Sequence, residues 1–537
     1  MPFWEQISII KHMKGYRFLP YIFFLLIAAL LGYTVLDYGM IWDEYLHLQY
    51  GNKILLYYLS LGRDKSYNEI LNLRYYGGIF DLISEIGFHF SKLLSFKLGI
   101  CEVKHFFNAL FGLTGLISVF FLGKRLNDPW GGYLAVGILM LIPRYYGHMF
   151  NNPKDATFAA MFALSMLAAM YYVENLDSPS PWKRAGFLAL AIGLCCGIRI
   201  AGLFVFLPLG ILLLSKLALE KKLADFKLIE KEAVLLIMVI LSAYPVMLLG
   251  WPWAQGKWSN FWTALQYFSR FKYSIGYLYF GEVVSSKNTP WDYIPVWMGI
   301  TIPVLTLGLF FAGLWSTIRK LSPFSKESLY GLCLLLWFFL PIGIIIWGKS
   351  YLYDELRQIL FIFPALALIA TEGLLFLWRA INRVTENYSP YIKIIPGLLI
   401  LSGFLNIAWN MYDLHPYETV YFNQIIGGLK GAHRKFDTDY WCNSFKEVAG
   451  FLNHNIPLPA KAVVKCVFGN QSPSLFYYLD KRFMRNPSLG RNVEYLVTTT
   501  RHNIDLRYGG EIVFQIERQG VILAMVKKRP VTILRRK

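Results

Sequence analysis

Residues 185–217 read AGFLALAIGLCCGIRIAGLFVFLPLGILLLSKL, an apolar run broken near its middle by Gly197, Arg199 and Gly202. The run is too long for one crossing of a hydrocarbon layer about 30 Å thick. A charge set among glycines marks a break rather than the centre of a helix. The stretch is therefore read as two spans, 185–199 and 201–217, joined by a tight hairpin, and that reading fixes the parity of everything around it. Further runs of crossing length lie at 19–37, 106–122, 132–147, 156–173, 233–250, 293–318, 329–347, 357–378 and 394–410. The expected fold is a polytopic α-helical membrane protein with about eleven transmembrane helices.

Composition points the same way. Of 537 residues, 56% are hydrophobic and 16% charged, too apolar for a soluble multidomain chain. Trp and Tyr gather at the ends of apolar runs, where amphipathic rings suit the headgroup level. The net charge of +19 does not indicate nucleic acid. Its basic residues lie in short loops and the tail, with no base-stacking module between them.

The first run follows Lys11, Lys14 and Arg17 and ends in no small-residue cleavage site, so it is read as an uncleaved span with a cytoplasmic N-terminus. The internal loops then carry Lys124 and Arg125; Lys183 and Arg184; Lys221, Lys222, Lys227 and Lys231; Arg319, Lys320 and Lys326; and Arg379, Arg383 and Lys393. Positive charge inside is met at each of them. The unusual polar segments, 38–105, 144–155, the turn at Arg199, 251–292, 348–356 and all after about 411, fall together on the outer face. An external active site is expected, in a multi-pass protein of a bacterial cytoplasmic (inner) membrane.

Two domains are expected. Residues 1–410 form the transmembrane part, with a large first external loop at 38–105 whose Ile79-Phe80-Leu82-Ile83-Ile86 pattern suits the membrane interface. Residues 411–537 form a soluble extracytoplasmic α/β domain. It has helices near 440–453 and 473–479, strands at Ala462–Phe468 and Val493–Thr498, and a hairpin of Ile512–Glu517 and Val521–Lys527 turning at Gln519-Gly520. Cys442 and Cys466 can pair if this domain is exported, and the six cysteines show no metal-type spacing.

Four segments carry candidate chemistry. Trp42-Asp43-Glu44-Tyr45-Leu46-His47 puts two adjacent carboxylates just beyond the first span. Either is a solvated flank or a general base for an attacking hydroxyl or amine. The stretch from Arg144 to Asp155 holds His148, Asn152, Lys154 and Asp155. Asn152, Pro153 and Asp155 suit the start of the next helix, while the crowding of Arg144, His148 and Lys154 at a helix N-terminus suits an anionic phosphate. Arg199 and the Tyr353-Asp354-Glu355-Leu356-Arg357 stretch can snorkel to the interface or clamp phosphate. The aromatic segments His415–Asn423 and Asp439-Tyr440-Trp441 are read as packing between domain and membrane part.

Asp43-Glu44 after the first span, Phe150-Asn151-Asn152-Pro153-Lys154-Asp155, Tyr353-Asp354-Glu355-Leu356-Arg357-Gln358 and the eleven-span layout resemble the GT-C glycosyltransferases. The resemblance is to the branch of the protein O-mannosyltransferases and lipid A aminoarabinose transferases, and it covers roughly 1–410. It implies a GT-C membrane glycosyltransferase taking a sugar from a polyprenyl-phosphate donor and passing it, with inversion, to a protein, lipid or envelope-glycan acceptor. Asp43 would be the general base and Glu44 its partner or a substrate holder. Lys154, Arg199 and Arg357 would meet the departing phosphate, with His148, Asn152, Asp155, Tyr353 and Asp354 also lining the substrate site. No cofactor is expected, with a divalent metal left open. The partners are the lipid-linked donor, membrane lipids and an acceptor, with no nucleic acid. The alternative is a transporter or flippase of lipid-linked sugars, which would more often show internal repeats and midplane charges.

Overall fold

The computed structural model describes residues 18–269, 274–385, 390–456, 464–466, 472–481, 483 and 495–528. Lys11, Lys14, Arg17 and the side chain of Lys393 lie outside them, as do the outer residues of the expected strand at 462–468. The side chain of Cys466 is also outside, and with it the pairing to Cys442.

The chain opens with α1 (Leu19–Thr34), α2 (Glu44–Leu59), α3 (Ile79–Leu93), α4 (Ile100–Gly123), α5 (Trp130–Met140), α6 (Pro143–Asn151) and α7 (Asp155–Glu174). It continues with α8 (Pro181–Cys196), α9 (Phe206–Leu219), α10 (Phe226–Leu248), α11 (Pro252–Gly256) and α12 (Ser259–Ser269). Next come α13 (Tyr293–Thr301), α14 (Val304–Arg319), α15 (Lys326–Trp347), α16 (Phe363–Val384) and α17 (Pro390–Leu414). Each of the eleven apolar runs is helical. Among the described residues, seven helices are long and apolar enough to cross a membrane, and α1, α5 and α14 are shorter apolar helices.

Burial sorts the long helices. In the most apolar 18 residues of the helical stretch Arg357–Val384, which contains α16, 94% are buried, whereas in those of Ile394–Leu414 only 6% are, although that helix is as apolar as a span. An exposed apolar helix of that length is stable only where lipid replaces water, so the protein is an integral membrane protein. α3 makes the same point at smaller scale. Beyond Ile79 and Phe80 in its first turn, its inward face carries Asp81, Ser84 and Glu85, while Ile83, Ile86, Phe90 and Leu93 are exposed. That inverts the pattern of a helix on a water-soluble core and matches an interfacial helix.

The break in 185–217 is real, but no tight hairpin forms. α8 ends at Cys196, Arg199 is extended (φ −142°, ψ 133°), and a 3₁₀ turn at Ile200–Val205 leads into α9. α8 packs on α7 and α10, while α9 leans on α15 and α7. Expected spans are also interrupted at 132–147, where α5 stops and Pro143 begins α6, and at 293–318, where Ile302-Pro303 separates α13 from α14. A proline fits the first turn of a helix, where its missing N–H would have no partner.

After α17 come short helices α18 (Gly428–Ala432), α19 (Phe445–Asn455) and α20 (Pro473–Tyr478). Strands β1 (Gly276–Tyr279) and β2 (Glu282–Ser285) form a hairpin in the membrane part. Strands β3 (Val464–Cys466), β4 (Tyr495–Thr499), β5 (Glu511–Arg518) and β6 (Val521–Lys528) make a sheet of order β3-β4-β6-β5, with only the β3/β4 pair parallel. Gln519 and Gly520 both take positive φ (51° and 72°), the two-residue turn that matches strand twist. α19 covers the sheet, with Phe451 stacked on Phe514 at 4.2 Å between ring centroids.

Candidate functional site

The loops before α2 and α7, the turn at Arg199, the end of α15 and the segment after it meet the small sheet domain around one cavity of about 1730 Å³. Glycine permits the closest of these approaches. Gly78 N–H donates to the Gly250 carbonyl at 2.9 Å and Ile79 N–H to the Gly197 carbonyl at 3.2 Å. A Cβ on Gly77 would collide with the Gly197 carbonyl. The loop leading into α3 is thereby held flat against the turn that presents Arg199.

Arg357 is the hub. Nη1 donates to Asp43 Oδ2 and to Asp155 Oδ2, each at 3.3 Å, and Nη2 donates to Asp354 Oδ2 at 3.3 Å. Its guanidinium also lies over Trp441 (4.7 Å) and Tyr353 (5.1 Å). Asp155 binds Arg199 through its other oxygen. Asp354 binds Arg501 Nη2 at 2.8 Å. Four basic side chains, Lys154, Arg199, Arg357 and Arg501, thus line one cavity with the carboxylates of Asp43 and Asp354, while Asp155 binds Arg199 and Arg357 from behind, an arrangement with room for an anion.

Asp354 and Glu355 are consecutive left-handed residues (φ 52° and 60°), a conformation that non-glycine residues hold only under constraint. The constraint is visible. Glu355 is bound by Arg144, by His148 Nε2 at 3.2 Å and by the Tyr440 hydroxyl at 2.7 Å. Asp354 is clamped by its two arginines, which work against the upward push of burial on its carboxyl. Burial drives His148 down to about 3, so its imidazole is neutral. Burial, together with the Arg199 cation, also pulls the Lys154 ammonium well below its usual range. An anion placed beside Lys154 would favour its charged form.

The expected site residues separate into two groups. Asp43, Lys154, Arg199, Tyr353, Asp354 and Arg357 line the cavity. Glu44, expected beside Asp43, turns away. It is 3% exposed, accepts from Ile41 N–H at 2.8 Å and contacts His105 Nε2 at 2.9 Å. Successive helical residues point about 100° apart, so the two carboxylates cannot share a face. His148, Asn152 and Asp155 lie behind the wall. Asn152 Oδ1 accepts Asp155 N–H at 2.9 Å, as a cap does, and its amide meets His148 Nδ1 at 3.3 Å. These three hold other residues in place and do not face the cavity.

His47, Trp441 and Arg501 are cavity residues that sequence reading did not assign to the site. His47 sits one turn after Asp43 on the same face of α2, with Nδ1 against Asp81 at 3.0 Å. The i, i+4 spacing could have revealed it. Trp441, read as packing, packs and also lines the cavity. Arg501 follows β4 in the sheet domain, and nothing local in the sequence marks it.

One flank of the cavity is apolar. Phe204 and Leu207, near the start of α9, and Ile344 on α15 all line it and remain exposed on the bundle. Cations at the head and hydrocarbon at an open flank suit an amphiphile with an anionic head. The molecule is therefore an integral membrane protein whose polar cavity sits where a helical bundle meets a small sheet domain. No protein-family model matches the chain, and no curated protein matches it. Among solved structures, the fold is similar to that in the crystal structure of ArnT from Cupriavidus metallidurans bound to undecaprenyl phosphate. The TM-score is 0.48 at 13% sequence identity, covering 95% of this chain and 98% of that one.

Proposed function

We propose that the chain is a membrane glycosyltransferase that moves a sugar from a polyprenyl-phosphate donor to an acceptor on the extracytoplasmic face, with inversion. The observation that carries this reading is a partly exposed carboxylate, Asp43, facing the same cavity as four basic side chains and an apolar open flank. The donor's anionic phosphate belongs beside Arg357, Arg199 and Lys154, and its hydrocarbon tail beside Phe204, Leu207 and Ile344.

In the proposed reaction Asp43 takes the proton of the acceptor hydroxyl or amine. That atom bonds to the anomeric carbon from the face opposite the phosphate, and the bond from carbon to phosphate oxygen breaks with its electron pair going to the phosphate. Charge on the leaving oxygen grows through the transition state, where fixed cations contribute most. Asp354 and Asp155 keep Arg357 and Arg199 pointing into the cavity, and Arg501 brings the sheet domain into the same network.

The test is mass spectrometry of envelope lipids, glycans and proteins from cells carrying the wild type, a deletion or Asp43→Asn. Loss of one sugar with build-up of its polyprenyl-phosphate donor in both mutants supports the transferase. A deletion that traps lipid-linked sugar on the inner leaflet, with Asp43→Asn behaving as wild type, would replace the enzyme by a transporter.

A further inference from the structure

Glu44 leaves the cavity only to enter a second cluster. Cys101 and His105 are four residues apart on α4 and so share one face. Cys101 Sγ lies 3.4 Å from His105 Nε2, and Glu44 Oε1 lies 2.9 Å from the same nitrogen. The three donor atoms are all within 4.8 Å of one another, and the residues are 0%, 1% and 3% exposed. The Tyr478 hydroxyl, from α20 in the sheet domain, approaches Sγ at 3.7 Å.

Hydrogen bonding alone leaves this cluster poorly satisfied. A doubly protonated His105 needs two acceptors, and its Nδ1 has no partner among the described residues. Apart from His105 Nε2, no basic nitrogen lies within ion-pair distance of the Glu44 carboxylate among the described residues. A buried carboxylate without a cation is costly.

We infer that Glu44, Cys101 and His105 form a buried site for a divalent metal ion of the zinc type. Carboxylate, thiolate and imidazole are its customary donors, at about 2.0–2.3 Å. On binding, the thiol releases one proton and the imidazole carries its own on Nδ1. The two charges of the ion are then cancelled by one carboxylate and one thiolate, leaving a neutral site suited to its burial. Tyr478 donates its hydroxyl hydrogen to the thiolate, and a water takes the fourth position. The ion would join the start of α2, the start of α4 and the sheet domain, one residue from Asp43.

The experiment is elemental analysis of the full chain, purified in detergent without chelator and then titrated with zinc. About one zinc per chain is expected, retained in Cys333→Ser and lost in Cys101→Ser and His105→Gln. Tyr478→Phe should weaken zinc affinity about tenfold, as removal of a hydrogen bond to a ligand does. Wild type grown on cobalt should show thiolate-to-cobalt absorption in the near ultraviolet, a readout that stands even if a variant fails to fold. Wild type that takes up no zinc, zinc that survives both ligand substitutions, or cobalt protein without the thiolate band would each overturn the site. None of these readouts depends on sugar transfer.

Discussion

Asp43 and Asp155 accept from the same Arg357 nitrogen at the same 3.3 Å, yet their side chains are 39% and 1% exposed. This contrast predicts opposite outcomes for the same isosteric change. Asp155→Asn removes a fully buried charge and leaves Arg357 and Arg199 short of a carboxylate inside the protein. Breaking such a buried pair costs about 3–5 kcal/mol, mostly the penalty of the charges left behind. Asp43→Asn breaks a pair already wet by the cavity, worth at most about 1 kcal/mol. The assay is thermal unfolding followed by tryptophan fluorescence in one detergent at one scan rate, because unfolding of large proteins is commonly irreversible and rate-dependent. The unfolding midpoint should fall by many degrees for Asp155→Asn and hardly move for Asp43→Asn, while sugar transfer is lost in both. Equal midpoints for the two variants would refute the argument that burial, rather than the shared hydrogen bond, sets the cost.

Arg501→Ala should reduce use of the phosphate-linked donor while the bundle still folds, because the 2.8 Å bond to Asp354 is a direct tie from the sheet domain to the Arg357 network. Donor kinetics equal to wild type would remove Arg501 from the site. Gly77→Ala should destabilise by about 1–3 kcal/mol, the usual cost of overpacking, since the added methyl collides with the Gly197 carbonyl. An unchanged unfolding midpoint would count against that close approach. Burial lowers His415, but the Glu418 and Asp37 carboxylates at 2.7 and 3.1 Å outweigh it, and its pKa is raised. Its contribution is therefore complete below the ordinary value of about 6.5 and is lost as pH rises through the raised one. Thermal stability should decline across that window in wild type, and the decline should be shallower in His415→Gln; identical slopes would remove His415 as the cause.

Much of the architecture was legible because hydrocarbon thickness leaves its length on the sequence. Every crossing-length apolar run is helical, and Arg199 among its glycines marked a true break. The β5–β6 hairpin was legible from Gln519-Gly520 between alternating strands. Hydropathy alone hid the two proline breaks, at Pro143 and Pro303, since an apolar window does not register where a helix restarts. In the candidate site, sequence placed Asp43, Lys154, Arg199 and Arg357 on one side through loop parity, and the structure brings these four to one cavity. It could not separate residues that face the cavity from those that hold them. Asp155 and His148 look as reactive as Lys154 until burial and partners are known. The Glu44–Cys101–His105 cluster escaped because cysteine spacing was judged against other cysteines, whereas the donors are one cysteine, one histidine four residues on, and a carboxylate from another helix.

The reversed faces of α3 have a consequence for how this protein must be handled. Asp81, which orients His47 on the cavity wall, sits on a helix whose other side is Ile83, Ile86, Phe90 and Leu93. That helix is positioned by a competition between two solvents, so the lipid around the protein acts as one jaw of the vice that holds His47. Extraction into a short-chain or sparse micelle loosens that jaw while leaving every covalent feature in place. Donor use recovered on return to a thicker, ordered bilayer would then report the interface as part of what holds the cavity wall, and comparisons between preparations are meaningful only at matched lipid surroundings.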